Sequence, residues 1–116
     1  EDADLAVLNC FPNLETLSLN STSVTGHGLK YVAGAVNLAH LDLRDTPIDD
    51  AGLAHLTRLT KIEVLRLDRT RISNAGLKHL AGLPNLRELS VSNTAVTDSG
   101  LDELLKSHPA LSVSDD

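Results

Sequence analysis

Apolar and polar residues largely alternate through Glu63-Val64-Leu65-Arg66-Leu67-Asp68, the pattern of a short strand with one buried face. From Gly76 to Leu83, leucines fall three residues apart, as on one stripe of a helix. A strand therefore leads into a helix, and the pair recurs. Leu14, Leu38, Ile62 and Leu86 are in step at a spacing of 24 residues, as are Leu17, Leu41, Leu65 and Leu89, then Leu19, Leu43, Leu67 and Val91. The same spacing links Thr22, Thr46, Thr70 and Thr94, then Val24, Ile48, Ile72 and Val96, then Gly28, Gly52, Gly76 and Gly100, and finally Leu29, Leu53, Leu77 and Leu101. A fixed period of this length marks a stack of strand-helix units in which neighbours bury one another's apolar faces.

The period predicts strands centred on Leu17, Leu41, Leu65 and Leu89, each followed by a helix. Thr25, Asp49, Ser73 and Thr97 stand just before the helical runs, where a side-chain oxygen accepts from free backbone N–H groups. The helices are expected to end near Gly82 or ahead of a proline such as Pro109, and the recurring glycines to serve packing at the helix starts.

These residues carry a resemblance. Leu-x-x-Leu-x-Leu-x-x-Thr-x-Ile, then Ser/Thr/Asp-x-x-Gly-Leu-x-x-Leu-x-x-Leu, resembles the leucine-rich repeat. It is most similar to the bacterial, F-box-related and ribonuclease-inhibitor-like versions whose convex side is helical. The resemblance covers nearly the whole chain. It implies an α/β solenoid with a parallel sheet on the concave face, helices on the convex face, and binding of a protein partner on the concave side. Thr stands where many such repeats have Asn or Cys, so a hydroxyl in place of an amide is expected to satisfy the backbone at that turn.

One domain is expected. Residues 1–11 match the second half of a repeat and read as an N-terminal cap, residues 12–107 hold four repeats, and residues 108–116 read as a terminal strand and tail. The register of that last strand is open, because Pro109-Ala110-Leu111 matches Pro84-Asn85-Leu86 while Leu111-Ser112-Val113 matches Leu89-Ser90-Val91. The chain opens at Glu1 without Met, as expected of a processed protein or a segment of a longer one. Its composition, 41% apolar and mostly aliphatic, suits a solenoid core. No apolar run approaches the roughly 18 residues a membrane helix needs, so no membrane insertion is expected.

Stacking makes equal positions of successive copies neighbours across the sheet. Thr16, Ser18 and Asn20, then His40, Asp42 and Arg44, then Val64, Arg66 and Asp68, then Glu88, Ser90 and Ser92 are expected to face outward, with Ser21, Asp45, Arg69 and Asn93 in the row beyond. The pattern sets Asp42 beside Arg66, Arg44 beside Asp68 and Asp45 beside Arg69. Two readings are open: cross-strand ion pairs on a solvated sheet, each worth well under about 1 kcal/mol, or a docking site for a partner. The candidate partner-binding residues are His40, Asp42, Arg44, Val64, Arg66, Asp68, Arg69 and Glu88. No aromatic residue falls on this face, so modest affinity is expected.

The remaining chemistry is sparse. A net charge of −6 and the lack of interleaved aromatics argue against a nucleic-acid partner. His55 and His79 share one position in adjacent copies, but they have no obvious third ligand, so no metal site is expected. No nucleophile, base and orienting group converge, and no phosphate-binding loop or cofactor motif is present, so a non-catalytic, cofactor-free module is expected. Asn20-Ser21-Thr22 matches the glycosylation triplet, which matters only in a secretory setting. Cys10 is the single cysteine and reads as a buried cap residue. A protein-interaction module, monomeric or part of a larger chain, is the leading reading. The alternative is a structural protein that self-associates through its sheet edges or the free thiol.

Overall fold

The computed structural model of the chain describes residues 13–114. The expected cap at 1–11 and Cys10 lie outside the described residues. Five parallel strands, β1 (Thr16–Ser18), β2 (His40–Asp42), β3 (Val64–Arg66), β4 (Glu88–Ser90) and β5 (Ser112–Ser114), form one sheet in chain order. The first four centre on Leu17, Leu41, Leu65 and Leu89, which stand opposite one another across the sheet. The register of β5 is now fixed: Val113 faces Leu89 and Ser112 faces Glu88. The match of Leu111-Ser112-Val113 to Leu89-Ser90-Val91 therefore fails. Leu111 is buried as Leu86 is, and the chain reaches the strand centre with one residue fewer.

Helices α1 (Leu29–Val32), α2 (Asp50–Leu53), α3 (Asn74–Leu80) and α4 (Asp98–Ser107) lie behind the sheet. The caps act largely where the sequence places them. Asp49, Ser73 and Thr97 accept from Gly52, Ala75 and Gly100 N–H respectively, satisfying donors that the first turn leaves free. Thr25 departs from this: its Oγ1 accepts from His27 N–H, and α1 begins only at Leu29 without a side-chain cap. The second repeat departs too, since α2 passes at Ala54 into a 3₁₀ helix running to Arg58. Leu53, Leu56 and Leu59 are all wholly inaccessible. A winding of three residues per turn sets that three-residue spacing on a single line facing the core.

The core is one continuous aliphatic stack in which Leu38, Leu41, Leu43, Ile62, Leu65 and Leu67 meet Leu29, Leu53 and Leu80. Burial of each such side chain contributes about 1.5–3 kcal/mol. Leu14, Leu17 and Leu19 of the first repeat are only partly buried.

Just past each of β1 to β4, the chain turns through a left-handed residue: Ser21, Asp45, Arg69 and Asn93 have φ of 62°, 58°, 57° and 57°. For a residue with a Cβ that conformation costs about 1–2 kcal/mol, so the surroundings must hold it. Two bonds do so. The N–H groups of Ser21, Asp45 and Arg69 donate to the Arg44, Asp68 and Ser92 carbonyls of the next repeat, at 2.8–3.0 Å. The threonine that follows closes the turn from within, as Thr22, Thr46, Thr70 and Thr94 each donate a hydroxyl to the carbonyl three residues back, at 2.7–2.8 Å. This is the expected hydroxyl in place of an amide.

Repeats are also joined at their helix starts. The Asp50 carboxylate accepts the Ser73 N–H at 2.7 Å and the Ser73 hydroxyl. One repeat on, Asn74 accepts the Thr97 N–H and donates to Thr97 Oγ1. Glycine is required beside these joints. A Cβ on Gly76 would lie 2.5 Å from Asp50 Oδ1, one on Gly100 would overlap the Asn74 amide, and one on Gly52 would lie 2.7 Å from the Gly26 Cα.

Candidate functional site

Strand alternation sends the leucine at each strand centre into the core and leaves its two neighbours facing out. Across β1 to β4 the first outward row is Thr16, His40, Val64 and Glu88, and the second is Ser18, Asp42, Arg66 and Ser90. All eight candidate residues lie on this face or on the turns just past it. A shallow hollow of about 300 Å³ brings His40, Asp42, Val64, Arg66 and Glu88 together. Arg69 lies apart, with Asp45 and Arg71, in a second hollow at the rim where the strands end.

Only one of the three expected cross-strand ion pairs forms. Arg69 grips Asp45 through Nε and Nη2, at 2.6 and 2.8 Å. Asp42 does not pair with Arg66. It takes Arg44 two residues along its own chain, with Nε at 2.9 Å, Nη2 at 2.8 Å and the Arg44 N–H at 3.1 Å. The local geometry wins because one planar guanidinium fork and one backbone donor reach the same carboxylate together. Asp68 does not pair with Arg44 either. It is 7% exposed, and it receives the Ser92 N–H at 2.6 Å and the Ser90 hydroxyl at 2.5 Å. A nearly buried carboxylate is best satisfied by fixed short donors from the adjoining repeat.

The electrostatics follow from these contacts. Partial burial pushes the Asp42 carboxyl up, but the hydrogen bonds from Arg44 and the charges of Arg44 and Arg66 outweigh it and hold the group below the ordinary aspartate range. Asp45 is lowered chiefly by its hydrogen bond from Arg69, with the charges of Arg69 and Arg44 adding to it. Both are anions at neutral pH.

Val64, a candidate binding residue, is only 7% exposed, so it lines the hollow while offering little apolar contact area. His40, Arg66 and Glu88 are exposed, and among the described residues their side chains form no ion pair or hydrogen bond. Among the described residues these three are therefore the accessible charged or imidazole side chains of the hollow that remain unspent. Among the described residues no group of three or more His, Cys, Asp or Glu is placed to hold a metal, and no helix is long and apolar enough to cross a membrane.

Strand and helix in every unit, a parallel sheet on one side and helices on the other, define an α/β leucine-rich repeat solenoid. Residues 22–113 match the family model described as the leucine-rich repeats of the FBD-associated F-box protein At5g56370. The chain belongs to this family of leucine-rich repeats, a class of protein-interaction domains that are generally non-enzymatic. Among solved structures, internalin C2 of Listeria monocytogenes is similar with a TM-score of 0.68 and 23% identity, covering 96% of this chain and 55% of its own. The leucine-rich repeat protein LIC12759 of Leptospira interrogans gives 0.73 at 18% identity, covering 94% of this chain and 27% of its own. Leiomodin-1 actin-binding site 2 gives 0.73 at 20% identity, covering 99% of this chain and 78% of its own. These likenesses are of fold, and the chain spans about half the length of internalin C2. No curated protein sequence matches the chain.

Proposed function

We propose that the chain is a non-catalytic module that holds a protein partner on its concave face, across β2, β3 and β4. The observation carrying this reading is the set His40, Arg66 and Glu88, exposed, unpaired among the described residues and gathered around one hollow, while Asp42, Arg44, Asp68 and Arg69 brace the surface around it. An ion-paired frame holds its shape before binding, which lowers the ordering cost of association. Leiomodin-1 offers a parallel, because its array of this fold is its actin-binding site 2. The alternative of assembly through sheet edges has less support, since the outer strands β1 and β5 are three residues each and make short templates.

The test is capture of partners from source-cell lysate, read by mass spectrometry. The native chain is compared with His40→Ala/Arg66→Ala on the concave face and Lys78→Ala/Glu103→Ala on the convex side. A protein held by the native chain and the convex variant but lost by the concave variant is the expected result. A protein lost only by the convex variant would move the site to the helices. Sedimentation over a range of concentrations checks the monomer that this reading requires.

A further inference from the structure

Guanidinium groups on and around the concave face divide into spent and unspent. Arg44 is forked onto Asp42, Arg69 onto Asp45, and Arg87 reaches Glu63 at 3.1 Å. Arg66 and Arg71 are exposed and, among the described residues, their side chains hold no acceptor. Nor is a nearby acid free to swing across to Arg66. Asp42 is filled by three donors of Arg44, and Asp68 is filled by Ser90 and Ser92. Glu88 faces Val64 in the next row and leaves Arg66 unpaired.

Both unspent cations stand at concavities. Arg66 lines the hollow of about 300 Å³ over β1 to β4 and also a smaller one of about 60 Å³ that runs toward Ser112 and Ser114. Arg71 lines the rim hollow. Among the described residues the concave side thus offers Arg66 and Arg71 as free cations against Glu88 as the free anion, within a chain whose net charge is −6. A planar guanidinium is built to take a carboxylate through two parallel N–H bonds. The negative chain as a whole repels a long polyanion, and Tyr31, the one aromatic among the described residues, lies on α1 behind the sheet, so the described residues of the concave face offer no stacking platform for bases.

We infer that the concave face selects an acidic segment of a protein partner, with Arg66 receiving a carboxylate at the hollow and Arg71 a second one at the rim. This rests on the concave-face reading above. Glu88 then opposes the ligand and limits its affinity.

The probe is a set of peptides selected from a random phage-displayed library on the intact chain, then synthesised and titrated by fluorescence anisotropy. The selected peptides should be enriched in Asp and Glu. Arg66→Gln should weaken their binding by about tenfold or more, since a hydrogen bond to a charged group is lost. Arg71→Gln should weaken it by roughly threefold, as for an exposed pair. Glu88→Gln should strengthen it, and Arg58→Gln, at the end of the 3₁₀ helix, should leave it unchanged. Peptides without acidic enrichment, an empty selection, or weaker binding on Glu88→Gln would each overturn the inference. Amide shifts of the labelled chain separate it from its parent reading. Neutral or basic peptides that shift β2 to β4 overturn only the acidic preference, whereas peptides that shift α3 and α4 overturn both.

Discussion

Alanine in place of Gly52 should destabilise the chain, although the same exchange in an ordinary helix stabilises it. Gly52 lies in α2, where the exchange to alanine is worth about 0.4–1 kcal/mol through reduced freedom of the unfolded chain. The neighbouring repeat reverses the sign. A Cβ at this position lies 2.7 Å from the Gly26 Cα and 3.4 Å from Leu29 Cδ1. Carbon atoms rest at about 3.5–4.0 Å, so the backbones of two repeats must separate by roughly 1 Å. Strain of that kind costs about 1–3 kcal/mol. The net loss is about 1–2 kcal/mol, or roughly 5–10 °C in Tm for a chain of this size. Thermal and urea unfolding followed by far-ultraviolet circular dichroism would measure it. Gly82→Ala is the internal control. Nothing lies within 4 Å of its added Cβ and its φ is not positive, so Tm should rise by about 2–5 °C. A Gly52→Ala chain as stable as its parent would refute the close approach of these two repeats.

Asp68→Ala strips the acceptor from Ser90 and Ser92 and should cost about 2–3 kcal/mol in urea unfolding, with Asp68→Asn costing less; equal losses would deny the carboxylate its bonding role. Thr70→Val keeps the shape but leaves the Leu67 carbonyl without its hydroxyl partner in a buried turn, so a loss of about 1 kcal/mol is expected, and a neutral result would mean that water replaces the hydroxyl. Asp42 and Asp45 ionise more readily folded than unfolded. Their stabilisation is therefore complete above the ordinary aspartate value of 3.8 and is lost as pH falls through their lowered folded values. Urea midpoints measured downward from about pH 5 should fall more steeply for the native chain than for Asp42→Asn/Asp45→Asn, and identical slopes would count against both ion pairs.

Much of this architecture was legible because a period is a long-range statement. Each of Leu17, Leu41, Leu65 and Leu89 says little alone, but their even spacing fixes which residues are neighbours across the sheet, and the register agrees at every strand. Placement of the outward rows followed from the same spacing. What spacing did not reveal was how each side chain spends its hydrogen bonds. Asp42 has both Arg44 and Arg66 within reach, and the choice depends on a backbone N–H that happens to aim at the same carboxylate. Asp68 carries the same charge one row further on and is buried by Ser90 and Ser92. That burial depends on the depth of the turn and on the left-handed residues beside it, none of which is glycine. Asp, Asn and Ser at three of those four positions are a faint signal, since short polar side chains tolerate that conformation; Arg69 carries no such signal.

The joints at Asp50–Ser73 and Asn74–Thr97 bear on how such a molecule changes over time. The starts of α2 and α3 each present an acceptor to the cap of the unit that follows, and the Ser73 and Thr97 caps each present a donor to the unit before. Duplicating the third 24-residue unit therefore joins surfaces that already match, since Asn74 then meets a second Ser73 cap, while a gain of any other length throws caps, glycines and leucines out of phase at once. Length can vary in steps of one unit while the fold persists, and the face of each unit is left free to diverge.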